Sequence, residues 1–145
     1  MKKLLSISAI SIIFTIITLV ISSPKLEEMS IFNYLFSVVV LPIIYILVFS
    51  IISTVVANIE FKSSLLGNAV ISFINALIIT VTSVILVTEE VINKIISNTS
   101  VGEGVEMSIG AGSAGDNLQS FILFIAVAGI STFIGSKLRK TEKSY

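Results

Sequence analysis

Residues 4–22 read LLSISAISIIFTIITLVIS, about 19 consecutive positions without a charged side chain. At about 1.5 Å per residue, a helix of that length reaches about 28 Å, close to the thickness of a bilayer's hydrocarbon core. Two patterns overlap in it. Leu, Ile, Val and Phe supply most of the surface, while Ser8, Ser11, Thr15, Thr18 and Ser22 recur at spacings of three and four, which puts all five on one helical face. In water that face would be the solvated one. In lipid it becomes the face that must turn inward, because hydrocarbon offers a hydroxyl no partner.

Composition selects lipid. Of the 145 residues, 54% are hydrophobic and 12% charged, against about 25% charged in an ordinary soluble domain, and the mean hydropathy is +1.06. The apolar residues fall into four blocks, residues 4–22, 31–57, 65–87 and 118–136, which predicts a single all-α membrane domain over residues 1–145 with four transmembrane helices in an antiparallel bundle. The second block exceeds the hydrocarbon thickness, and Pro42 supplies a kink, because its ring removes a donor and crowds the carbonyl of Val38. The polar turn NIEFKSS (residues 58–64) predicts an antiparallel hairpin of the second and third blocks. Before the second block, SSPKLEEMS predicts a short surface helix with Ser23 as cap, Pro24 in the first position and Glu27 and Glu28 at its positive end. After the third, TEEVINKIISN places Val91, Ile92, Ile95 and Ile96 on one face and Glu89, Glu90, Asn93 and Lys94 on the other, an interfacial helical extension. A Gly-rich acidic loop completes residues 88–117.

Basic residues set the expected orientation. Lys2 and Lys3 precede the first span and Lys137, Arg139, Lys140 and Lys143 follow the last, whereas residues 88–117 hold Lys94 against Glu89, Glu90, Glu103, Glu106 and Asp116. The positive-inside rule puts both termini in the cytoplasm of a cell membrane and the acidic loop outside. The first block reads as a retained span rather than a signal peptide, since it is longer than the usual apolar region and Pro24 is a poor context for cleavage.

The chain has no Cys and no His, which removes thiol chemistry, disulfides, imidazole ligands and His-dependent triads. None of the four blocks contains an ionisable Asp, Glu, Lys or Arg, the groups with which proton- and ion-coupled carriers mark their pathways. Gly110, Gly112 and Gly115 spell the dinucleotide spacing G-x-G-x-x-G, but no strand precedes them, and Asp116 with Gln119 reads as a capping pair for the fourth span that would repel phosphate. Glu103, Glu106 and Asp116 lack any cation-loop spacing. Asn98-Thr99-Ser100 matches a glycosylation acceptor that matters only in a eukaryotic secretory pathway. A cofactor, a metal, a nucleotide and nucleic acid are all unexpected.

Neutral polar residues inside the spans remain. Asn68, Ser72, Asn75 and Thr82 share a face of the third block with Ala69 and Ala76 beside them, and Ala128, Thr132 and Ser136 recur in the fourth. Counting inward from the span ends places Thr15, Tyr45 and Asn75 near the midplane, and with Asn68 they form a candidate intramembrane polar layer in which Tyr45 and Asn75 are expected to lie near one another. Helix-packing hydrogen bonds are the expected role. In size and layout the chain resembles the small four-span membrane proteins of Gram-positive bacteria, a resemblance without diagnostic residues that transfers no site. The expected function is non-enzymatic: an accessory, interaction or immunity-type membrane protein with a membrane-protein partner or a second copy. The alternative is a channel, small-solute permease or holin-like pore former.

Overall fold

A computed structural model describes residues 1–99 and 114–142, and every element in them is helical. Glu103, Glu106 and most of the glycine loop lie outside the described residues. Four helices are long and apolar enough to cross a membrane: Lys2–Glu28, Ile31–Ala57, Phe61–Leu86 and Phe121–Arg139.

Helix α1 (Lys2–Ser22) passes without a break into a 3-10 turn, Ser23–Glu28. Ser23 therefore does not cap. It arrives already helical, at φ −54° and ψ −45°, whereas a cap needs extended backbone, and its hydroxyl donates to the carbonyl of Val20 at 3.1 Å. The cap of the next helix is Ser30 (ψ 162°), which accepts from the backbone N–H of Asn33.

The second span is α2 (Ile31–Leu35), a π-helical turn (Phe36–Val40) and α3 (Leu41–Ala57). Leu41 N–H donates to Phe36 O, five residues back, just before Pro42. The expected conflict at the Val38 carbonyl is thus relieved by one widened turn, a known way of fitting an irregularity into a long helix. Asn58 ends α3 in the left-handed region, at φ 49° and ψ 40°, which Asn tolerates better than most residues.

Helix α4 (Phe61–Leu86) starts four residues ahead of the expected boundary, so Lys62, Ser63 and Ser64 belong to the helix and the connecting turn is Asn58–Glu60. The interfacial extension is a separate helix, α5 (Glu89–Ser97): Val87 leaves helical geometry, at φ −97° and ψ 80°, and Thr88 caps α5 by accepting from Val91 N–H. Helix α6 (Ala114–Glu142) already contains Gly115 and Asp116. Asp116 is therefore inside the first turn rather than at the cap, and the last glycine of the G-x-G-x-x-G run is helical.

Packing departs from the expected hairpin. The most extensive contacts join α1 with α3 and α4, and α6 with α3 and α4, whereas α3 and α4 touch each other far less despite their short connection. Glycine explains one of the close approaches: a Cβ on Gly135 of α6 would meet Thr54 Cβ at 2.9 Å and Ile51 O at 3.0 Å on α3. Leu19, Val38, Ile46, Ala76, Ile79, Phe124 and Ala128 form the main apolar core. The rest of the molecule is inside-out relative to a soluble protein. Asn68 is 0% exposed while Val84 is 72% exposed, as expected when hydrocarbon is the solvent.

Candidate functional site

The polar stripes of α1, α3, α4 and α6 converge on Asn68. Its Oδ1 accepts from Ser8 Oγ of α1 at 2.6 Å and from Ser53 Oγ of α3 at 3.0 Å. Its Nδ2 donates to Thr54 Oγ1 at 3.1 Å and Ser50 O at 3.4 Å on α3, and to Thr132 Oγ1 of α6 at 2.9 Å. An amide offers two donors and two acceptor lone pairs, so every capacity of Asn68 is used. Thr54 and Thr132 also donate to carbonyls four residues back in their own helices, and Ser53 shares its one hydroxyl hydrogen between Asn68 and the carbonyl of Ser50. The result is one enclosed node that ties four helices together.

Asn75 lies two turns further along α4, fully buried. Its Nδ2 donates to Ser11 Oγ of α1 at 3.0 Å and to Ile71 O at 3.1 Å, while its Oδ1 has no partner. Thr15, also fully buried, has an unpartnered hydroxyl. Tyr45 is only half-buried: its hydroxyl lies 3.0 Å from Thr18 Oγ1 and its ring stacks at a tilt on Phe14, 5.4 Å between centroids.

The four candidates therefore do not form a single layer. Asn68 and Asn75 are stacked along α4, and both Asn75 and Tyr45 turn to α1, at Ser11 and Thr18, rather than to each other. Seven residues separate those two positions, about 10 Å along the helix. The reason is the packing order: α1 packs on both α3 and α4, which touch each other far less, so it receives hydroxyl and amide from both.

Sequence reasoning passed over several partners. Ser50, Ser53 and Thr54 repeat at three and four residues within the second block, the same signal used for the other spans. Arg139, expected only to orient the chain, donates through Nη1 to the carbonyl of Ile59 and so ties α6 to the α3–α4 turn. No local pattern foretold that pairing.

A second cluster closes the opposite end. Leu26 and Ile31 pack on Val91 and Ile95 of α5, with Met29 and Tyr34 alongside. Lys94 bridges Glu27 at 2.7 Å and Glu90 at 3.0 Å. Asn98 Nδ2 donates to Glu27 O at 2.7 Å, and Ile31 N–H donates to Thr99 Oγ1 at 2.8 Å. Hydrogen bonds from Glu27 first, then Glu90, hold the Lys94 ammonium above its ordinary range. Under this layer a crevice runs between Leu19, Ser22, Tyr34, Thr82 and Ser83.

Among the described residues no group of His, Cys, Asp and Glu could hold a metal ion. The interior offers neutral hydrogen-bonding groups, suited to joining helices and to holding small neutral polar molecules. No protein-family model, curated protein or solved structure matches this chain.

Proposed function

We propose that this chain is a non-enzymatic multi-pass protein of a bacterial cell membrane, an antiparallel four-helix bundle with both termini in the cytoplasm, whose work is interaction: an accessory or immunity-type subunit for another membrane protein or for a second copy of itself. The observation that carries this reading is the saturation of Asn68. A group lining a solute path has to exchange partners with what passes, whereas all five bonds of Asn68 are made inside the chain. Ser8, Ser11, Ser53, Thr54 and Thr132 are spent in the same way, as contacts between helices and to their own backbones, while Thr15 and Ser72 have no partner.

The alternative, a channel, permease or holin-like pore, is separated by reconstitution. Liposomes carrying the purified protein are expected to leak ions and small neutral solutes no faster than empty liposomes, and a membrane protein is expected to co-purify with the chain from its native membrane. A leak that disappears in Asn68→Leu or Asn75→Leu would establish the pore and end the accessory reading.

A further inference from the structure

Helix α5 follows α4 in the chain but seats elsewhere, on the 3-10 turn Ser23–Glu28 and on α2, where Val91 and Ile95 close over Leu26 and Ile31. Three polar ties surround that apolar centre: Lys94 Nζ to Glu27 Oε2 at 2.7 Å, Asn98 Nδ2 to Glu27 O at 2.7 Å, and Ile31 N–H to Thr99 Oγ1 at 2.8 Å. The helix thus straps the end of α4 to the connection between the first two spans.

The join to α4 is short and non-helical. Val87 lies at φ −97° and ψ 80°, and Thr88 at φ −77° and ψ 166°, where its hydroxyl caps α5. Two such residues, between a helix that ends and a helix that caps itself, can absorb the dihedral change of a hinge. Val87 is also a wall of the crevice, together with Ser22, Leu26, Tyr34, Thr82 and Ser83. Leu26 and Tyr34 belong at once to the seat of α5 and to the crevice beneath it. With α5 seated, the space inside is about 10 Å³, room for a single water.

We infer that α5 is a lid over this crevice, opening as a unit about Val87 and Thr88 while the four spans stay folded. One short helix that buries Val91, Ile92 and Ile95 is held by less than the spans it covers, which the Asn68 node ties together. Raising it draws Val87 away from the crevice wall and uncovers Leu26 and Tyr34. What the open crevice takes is neutral and hydrogen-bonding: its side-chain polar groups are hydroxyls, and among the described residues no charged one lines it. The lid is independent of the accessory reading.

The test uses the full chain in lipid nanodiscs with Ser22→Cys, at a position 7% exposed, as its only thiol. Reaction with N-ethylmaleimide is expected to be slow and to quicken about tenfold or more when Ile95→Ala unseats α5. Asn93→Cys, on the exposed face of α5, is expected to react at one rate in both backgrounds. A second measurement leaves the apolar seat intact: bridging Glu27→Cys to Lys94→Cys with a short bis-maleimide is expected to slow amide hydrogen exchange at residues 95–98 about tenfold or more, with α1 and α4 unchanged. Exchange of α5 only in step with the spans would overturn the lid. So would an Ile95→Ala variant in which α5 exchanges faster while Ser22→Cys reacts as slowly as before.

Discussion

Asn68 and Gly135 show how much a single position can decide in this molecule. Truncating Asn68 to Ala removes five hydrogen bonds and leaves Ser8, Ser53, Thr54 and Thr132 without their amide. Hydrogen bonds between membrane helices average about 0.6 kcal/mol each, so the expected loss is about 2–3 kcal/mol in reversible unfolding, and a loss under about 0.5 kcal/mol would show that the node is incidental. At Gly135, Ala is expected to cost about 1–3 kcal/mol, since its Cβ would stand 3.0 Å from the Ile51 carbonyl oxygen and neither backbone can yield alone. Gly129 is the control in the same helix. A Cβ there meets nothing closer than Leu65 Cδ1 at 3.9 Å, so Gly129→Ala is expected to be neutral in the same thermal assay. That Asn68 would face inward was legible from its stripe, but its particular partners were not: periodicity assigns a face, and says nothing of which helix stands opposite.

At the scale of the element, α5 is held by burial more than by charge. Ile95 is 1% exposed within the cluster formed with Leu26, Ile31 and Val91, whereas the Lys94 and Glu27 side chains are 41% and 57% exposed. Exposed ion pairs contribute little, whereas a buried Ile→Ala substitution costs about 2–5 kcal/mol. Ile95→Ala is therefore expected to release α5, read as faster hydrogen exchange at the Asn98 and Thr99 amides, while Lys94→Ala changes it little. The Lys94 contribution has a definite pH sign. Because the folded state raises this lysine above its ordinary 10.5, the stabilisation is complete below that value and fades as pH rises through the raised one. Exchange protection at Asn98 that depended on Lys94 only below pH 7 would contradict it. The amphipathic pattern of residues 88–98 already indicated a helix with one apolar face. It did not indicate the surface covering that face, because Leu26 and Ile31 lie sixty or more residues from Val91 and Ile95.

For the whole molecule, orientation is the property that rests on charge alone. The chain lacks cysteine, so single substitutions report without background. Ser113→Cys is expected to react with an impermeant maleimide in intact cells, and Ser144→Cys only after permeabilisation; the opposite pattern would invert the topology. By itself the sequence determined how many helices are long and apolar enough to cross a membrane, because uncharged runs of membrane length have few other fates. It also determined which face of each span turns inward, since a hydroxyl or amide gains nothing from lipid. The tertiary structure alone decided the neighbours: that α1 rather than α4 lies along α3, that Asn75 and Tyr45 both turn to α1, and that Arg139 reaches Ile59. Each of those choices depends on how closely two backbones can approach and which hydroxyl then stands opposite which amide. Such facts belong to pairs of helices, and a pattern read along one helix does not contain them.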